Sequence, residues 1–109
     1  MPHRLAQTTP RHFHNFSGVT RRSRNHRHGF RGRTRINMQT LPNGRHRHRL
    51  VVQTFRVEGH RHRLIDITGV NINLRIGRHI HRAAGISTRN FNHRHRYSFR
   101  TGRNIRITN

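Results

Sequence analysis

The sequence predicts a mainly β protein, with short antiparallel strands in a tandem repeat and a disordered N-terminal third. Apolar and polar residues alternate at Val70, Ile72, Leu74 and Ile76, which places the aliphatic side chains on one face of a strand. Twelve of the thirteen histidines fall in six His-x-His pairs, whose spacing indicates a repeat. A formal net charge of +22 on 109 residues favours disorder, so a largely disordered chain is the alternative.

The six histidine pairs define the predicted domain organisation. The steps between successive pairs are 14, 20, 14, 19 and 14 residues, so two alternating steps sum to 33 or 34. We therefore expect a disordered segment at 1–10, then three repeats at 11–44, 45–77 and 78–109, the first of them mostly unstructured. The pairs are His12/His14, His26/His28, His46/His48, His60/His62, His79/His81 and His93/His95.

The predicted elements follow one another in chain order. Residues 1–35 are rich in arginine and free of acids, so we expect little structure there. Leu41–Gly44 predicts a turn, because Pro fixes one dihedral angle and Asn-Gly accepts positive φ. Strands are predicted around 51–57, 70–76, 97–99 and 105–107, with the aliphatic face of 70–76 packed in a core.

Arginine supplies all 24 basic residues, against only two acids. Its guanidinium binds phosphate bidentately and stacks on bases, so RNA or DNA is the predicted partner. Alternate residues of a strand share a face, and arginine tracts of that spacing would track a phosphate backbone. Nearby aromatics could stack on bases. The predicted nucleic-acid-binding residues are Arg45, Arg47, Arg49, Arg61, Arg63, Arg94, Arg96, Tyr97 and Phe99.

The histidine pairs allow a second interpretation, metal binding. Two imidazoles on one face of a strand suit a first-row transition metal. A hairpin could bring together His46, His48, His60 and His62. The surrounding positive charge and the scarcity of carboxylates oppose a dication, so no metal site is predicted, and these four residues are the alternative.

Several classes of function find no support in the sequence. There is no cysteine, and no catalytic constellation or phosphate-binding loop, so we expect a non-enzyme without a cofactor or small-molecule substrate. No signal peptide or transmembrane segment is predicted, which favours a cytoplasmic or organellar location.

The functional prediction is non-specific binding of nucleic acid or another polyanion through the arginine tracts. His-rich metal binding is one alternative. A third interpretation is that this frame is not selected as protein, because recurring His-Arg dipeptides, absent lysine and scarce acids also arise when repetitive DNA is read antisense.

Overall fold

The computed structural model describes residues 10–36 and 38–107 of the chain. These residues form ten β-strands and one 3-10 turn at Pro42–Gly44, and they contain no helix long and apolar enough to cross a membrane. The predicted mainly β class is confirmed. The strands are β1 His12–Val19, β2 Gly29–Arg33, β3 Met38–Thr40, β4 His46–Gln53, β5 Arg63–Ile67, β6 Ile72–Asn73, β7 His79–Ile80, β8 Arg82–Ile86, β9 Arg96–Arg100 and β10 Asn104–Arg106.

Three antiparallel hairpins form the body of the molecule. They are β1–β2, β4–β5 and β8–β9, and each pairs five residues in register. The second strand of each hairpin lies beside the first strand of the next, and β9 lies beside β1. The three hairpins therefore close into a ring, in which both edges of each hairpin lie beside another hairpin.

Short strands extend the ring beyond one end of the hairpins. β3 pairs with β4, β6 with β7, and β10 with β1, all antiparallel. The turn predicted at Leu41–Gly44 joins β3 to β4, and Asn43 takes a φ of 65° there.

Apolar side chains fill the middle of the ring. Leu50 and Leu64 are fully buried, which stabilises the fold by about 1.5–3 kcal/mol for each side chain. The ring of Phe16 stacks on that of Phe99 from the third hairpin at 4.9 Å between centroids. Each hairpin thus contributes one residue from each strand. The buried apolar residues are Phe16, Phe30, Leu50, Leu64, Ala83 and Tyr97.

The expectation of a mostly unstructured first repeat is wrong for the described residues. β1 and β2 lie within it, and they supply Phe16 and Phe30 to the core. The reason is that His12 and His14 are buried and act as core residues. The prediction treated histidine as a polar surface residue and so missed them. The disorder predicted for residues 1–9 lies outside the described residues.

The aliphatic face predicted to form the core is instead exposed. Ile72, Leu74 and Ile76 are 40%, 46% and 86% exposed. They lie in and after β6, beyond the end of the hairpins, where the ring offers no opposing apolar surface. The core positions within the ring are taken by the residues that follow each histidine pair.

Candidate metal centres

All twelve paired histidines are buried, each with 8% or less of its surface exposed. In each His-x-His pair the two imidazoles point into the ring, because alternate residues of a strand share a face. The intervening residues point outward and are exposed or half-buried. Because side chains alternate along the strands, segments that consist mostly of polar residues line the interior of the ring with histidine.

The imidazoles gather into two clusters. Site I contains one pair from the start of β1, one from β4 and one from β7–β8, and all six offer a ligand nitrogen within 4.8 Å of the others. Site II contains the pairs that precede β2, β5 and β9. Five of its histidines likewise offer ligand nitrogens within 4.8 Å of one another. The ring centroid of the sixth, His95, lies 4.8–5.0 Å from the ring centroids of four of them. Site I is His12, His14, His46, His48, His79 and His81; site II is His26, His28, His60, His62, His93 and His95.

The two sites lie at opposite ends of the hairpins, with the apolar core between them. In β1 the inward residues run in the order His12, His14, Phe16, and on the returning strand His28 precedes Phe30. Since β1 and β2 are antiparallel, the start of one lies opposite the end of the other. Each site is therefore a separate chamber.

Backbone carbonyl groups orient the first, outer histidine in five of the six pairs, His79 being the exception. The Nδ1 of His12 lies 2.6 Å from the Pro10 carbonyl oxygen, and the Nδ1 of His93 lies 2.9 Å from that of Phe91. His26, His46 and His60 contact the carbonyl two residues earlier in the same way, at 3.1–3.3 Å. Short local bonds thus fix these rings.

The second histidine of each pair, which lies nearer the apolar core and is called inner, instead links neighbouring hairpins. The Nδ1 of His48 donates to the carbonyl of Arg35, and the Nδ1 of His28 to that of Phe55, both at 2.9 Å. The other four inner histidines do the same across the remaining seams, at 2.8–3.0 Å. A carbonyl oxygen only accepts, so the Nδ1 carries the proton in all these contacts.

Hydroxyl side chains position the backbone beside each inner histidine. The backbone N–H of His14 donates to Thr34 Oγ1 at 3.0 Å, and that of His62 donates to Thr54 Oγ1 at 3.0 Å. The equivalent bonds at the other four inner histidines are also 3.0 Å long, and one of them uses the hydroxyl of Ser87. These buried Thr and Ser residues hold the histidine-bearing strands in place.

The Nε2 atoms of the three outer histidines of each site lie close together. In site I the Nε2 atoms of His12, His46 and His79 form a triangle with edges of 2.9–3.2 Å. In site II the three outer histidines form a triangle with edges of 3.1–3.2 Å. The Nε2 atoms of His28, His62, His81 and His95 are buried without a hydrogen-bond partner.

Burial keeps these imidazoles neutral. Desolvation lowers the pKa of His14 and His79 to about 3, and that of His48, His62 and His81 to about 4. Mutual repulsion among neighbouring imidazoles lowers them further, and the carbonyl bonds oppose this effect where they are present. At neutral pH the Nε2 atoms of His14, His48, His62 and His81, whose Nδ1 atoms carry the proton, therefore each present a lone pair to the interior of their site.

The structure separates the four histidines of the alternative metal site. His46 and His48 belong to site I, whereas His60 and His62 belong to site II. A hairpin of β4 and β5 does join these segments, but antiparallel pairing puts the two histidine pairs at opposite ends. The partners come from other hairpins, 33 or 34 residues away along the chain. That recurring interval was the signal in the sequence that pointed to the grouping.

The predicted nucleic-acid-binding arginines all point outward. Arg45, Arg47, Arg49, Arg61, Arg63, Arg94 and Arg96 are exposed. Tyr97, by contrast, is 3% exposed and its hydroxyl donates to Asp66 at 2.7 Å. Phe99 packs against the core. Tyr97 is therefore not available to stack on a base.

Fold and sites together define a β protein in which three hairpins enclose two buried hexahistidine clusters. Residues 9–102, most of the chain, match the YmaF family, described as "Spore germination protein GerY/YamF". The chain therefore belongs to the YmaF family. No curated protein and no solved structure matches it.

Proposed function

We propose that this chain is a metal-binding protein that holds one divalent first-row transition-metal ion at each of its two sites. The observation that carries the proposal is the approach of Nε2 atoms that have no proton to share in eleven of the twelve histidines, His79 being the exception. Because the Nδ1 atoms of these eleven donate to carbonyl groups, a hydrogen bond at about 3 Å between two of their Nε2 atoms, as between His12 and His46 or between His26 and His60, would need an imidazolium, which burial disfavours. A bound cation removes this conflict, because every lone pair then has an acceptor.

The hydrogen bonds made by the other ring nitrogens support the same proposal. Histidines that bind metals usually donate their other ring nitrogen to a carboxylate, a carbonyl or water, which fixes the tautomer and the ring orientation. Eleven of the twelve histidines have a backbone carbonyl in that position. The sequence argued against a metal because carboxylates are scarce. Backbone carbonyl groups thus take the orienting role that carboxylates would otherwise have.

The distances among the three outer Nε2 atoms of site I are those of one face of an octahedron. In an octahedron, neighbouring ligand atoms are separated by the metal–ligand distance multiplied by √2. Edges of 2.9–3.2 Å therefore correspond to metal–nitrogen distances of about 2.1–2.3 Å, whereas a tetrahedral zinc site with bonds of about 2.0–2.1 Å would have edges of about 3.3–3.4 Å. Neutral imidazole suits nickel, iron, copper and zinc, and among divalent ions Ni²⁺, Co²⁺ and Fe²⁺ accept six nitrogen donors in an octahedron. We propose these three over Zn²⁺.

The proposed function is binding rather than catalysis. Catalytic metal sites keep a coordination position open for water or substrate. Six protein nitrogens would fill every position of an octahedral ion in site I. The positive charge of the chain does not prevent binding, since every described arginine is exposed and its charge is screened by solvent and salt.

Titration of the metal-free chain with Co²⁺ tests this proposal. We expect two equivalents to bind and to give the weak visible bands of six-coordinate Co²⁺. Intense bands typical of four-coordinate Co²⁺ would retain metal binding but overturn the coordination number. Absence of any bound Co²⁺, Ni²⁺ or Zn²⁺ by equilibrium dialysis would overturn metal binding itself.

Variants separate the two sites. The double substitution His12→Gln with His46→Gln removes two ligands of site I, and His26→Gln with His60→Gln removes two ligands of site II. Each variant should bind one Co²⁺ fewer than the unmodified chain and keep the other site, so each serves as the control for the other. Loss of both equivalents in a variant that stays folded would show that the sites do not act separately.

A second candidate function is binding of nucleic acid or another polyanion, as the composition predicts. The observation that favours it is that all 23 described arginines are exposed. Alternation in the His-Arg-His segments buries the histidines and turns the arginines to solvent. Affinity for mixed-sequence DNA should fall steeply with salt, since each neutralised phosphate releases counterions. A salt-independent affinity would contradict this candidate.

The family match also bears on the reading-frame alternative. A frame without selection as protein would not be expected to match a family along residues 9–102. The description of that family supplies a biological setting, spore germination, in which the proposed metal binding would operate.

A further inference from the structure

A groove lined by arginine side chains lies along the seam between the third hairpin and the first. There β1 lies beside β9, and backbone hydrogen bonds join the chain near both ends of the seam, from Gly102 N to Asn15 O and from Arg21 N to Arg96 O, each 2.8 Å. Between these two points the strands leave a cavity of about 750 Å³. That volume lies within the range of small-molecule sites.

Three arginines line this groove. Arg31 and Arg33 extend outward from β2 on one side, and Arg100 extends outward from β9 on the other. Small polar side chains of β1, Asn15 and Ser17, lie between them. The guanidinium carbon of Arg33 lies 4.5 Å from the centroid of the Phe13 ring, which holds that side chain in place.

Positive charge in the groove has no acidic partner among the described residues. Glu58 lies in an exposed turn at the site II end, and Asp66 accepts the hydroxyl of Tyr97. Arg82 also lies directly opposite Arg100 in the β8–β9 pair, and like charges in opposed positions destabilise a sheet. An anion in the groove would relieve this repulsion.

The other hairpins do not reproduce the groove. The positions 34 residues after Arg31 and Arg33 are Ile65 and Ile67, which are exposed on the second hairpin. The position 67 residues after Arg31 is Ser98, whereas the position 67 residues after Arg33 is Arg100, itself a residue of the groove. Arg31 thus has no arginine at either equivalent position, and the grouping of all three side chains around one groove is a local feature that the fold itself does not require.

We infer that this groove binds a phosphate group. Arginine forks match the oxygens of a phosphate, and two or three of them around one anion supply charge-assisted hydrogen bonds. Ser17 and Asn15 add a hydroxyl and an amide as further donors. The phosphate belongs either to a free nucleotide or to a nucleic-acid chain. In the second case the groove would anchor the nucleic acid, and this form of the inference rests on the polyanion binding proposed above.

Adenosine monophosphate and a labelled single-stranded 12-mer DNA serve as probes. The groove variant carries Arg31→Gln, Arg33→Gln and Arg100→Gln. The charge-matched control carries Arg56→Gln, Arg75→Gln and Arg89→Gln, three exposed arginines outside the groove. All these side chains are exposed, so both variants should fold, which the strand signal in circular dichroism and the Co²⁺ stoichiometry verify.

We expect the groove variant to lose about tenfold or more in affinity for at least one probe, as loss of charge-assisted hydrogen bonds implies. The control should lose less than about threefold. Weakened nucleotide binding indicates a free nucleotide, whereas weakened DNA binding alone indicates a nucleic-acid chain. Equal losses in both variants would overturn the groove site while leaving general polyanion binding intact. Failure of the unmodified chain to bind either probe would overturn both.

Discussion

At the scale of single residues, the main lesson is that an imidazole acts here as a core side chain. Each inner histidine donates its Nδ1 proton to a carbonyl of the adjacent hairpin, as His48 does to Arg35, so one polar atom is satisfied inside the protein. The other, Nε2, is left for the neighbouring histidines. Histidine thus supplies both the adhesion between hairpins and the proposed ligands.

The buried hydroxyls offer a direct test of this arrangement. Thr54→Val removes the acceptor for the His62 backbone N–H while it preserves side-chain volume. We expect the free energy of unfolding to fall by about 1–3 kcal/mol, since a buried donor loses its partner. Denaturant unfolding followed by circular dichroism measures this change.

Thr54→Ser is the matched control for that substitution. It keeps the hydroxyl that Ser87 supplies at the equivalent position in the third hairpin. Stability should change by less than about 1 kcal/mol. If Val and Ser destabilise equally, packing of the methyl group, and not the hydrogen bond, stabilises this strand.

Lowered pKa values make the fold sensitive to acid. The unfolded chain protonates its histidines near pH 6.5, whereas the folded chain resists protonation of His14 and His79 until about pH 3. Between these limits the unfolded state binds more protons, so the free energy of unfolding falls as the pH falls. We expect stability to be highest above about pH 7 and to decline steadily towards pH 4, with release of bound metal.

Acid titration of the Co²⁺-loaded chain measures both effects together. Circular dichroism reports folding, and a chromogenic indicator reports free Co²⁺. An unchanged stability between pH 7 and 5 would show that the histidines are not desolvated as the structure indicates.

At the scale of elements, the tight turns at the site II end govern the position of the three outer histidines of that site. The turns Ser23–His26, Val57–His60 and Asn90–His93 are closed by hydrogen bonds between their first and last residues. Their central residues have positive φ, as in Glu58 at 53° and Gly59 at 80°. This backbone matches the twist of a two-residue hairpin turn.

Gly59→Ala should therefore destabilise the fold. Its φ of 80° is unfavourable for a residue with a Cβ atom, although the space around it is open. We expect a loss of about 1 kcal/mol. Gly69→Ala is the control, because its φ is not positive and the added Cβ would lie 3.6 Å from the Arg82 carbonyl oxygen, an ordinary contact. Thermal unfolding of the two variants should differ; equal midpoints would contradict a conformational origin.

The elements also show how far the sequence led. The alternation of polar and apolar residues predicted β-structure, and the intervals between histidine pairs predicted three similar units; the duplication itself stays a prediction. The location of the core was missed, because a strand such as His46–Gln53 reads as a polar tract until its histidines are recognised as inward residues. The histidine clusters depend on contacts between three hairpins, which single-strand patterns do not specify.

At the scale of the whole molecule, metal binding and folding should be coupled. Twelve buried imidazoles are costly to assemble without a cation, and a ligand that binds only the folded state stabilises it in proportion to its saturation. We expect a chelator to lower the thermal midpoint, and Ni²⁺ at about one hundred times its Kd to add about 2.7 kcal/mol for each site. Thermal unfolding by circular dichroism with Ni²⁺, with Mg²⁺ as the control ion, tests this, and no shift with Ni²⁺ would contradict it.

The closure of the ring has a consequence for assembly. Each hairpin contacts its neighbours through the same kinds of bond, a backbone N–H to a carbonyl near each end of the seam and an imidazole Nδ1 to a carbonyl. None of these bonds depends on the neighbours belonging to one polypeptide. A peptide of a single hairpin with its two histidine pairs would carry one third of each site, and three such peptides would meet the same geometric conditions around two ions. The covalent connection therefore acts chiefly through effective concentration, and a metal-driven homotrimer is the simplest molecule that this architecture permits.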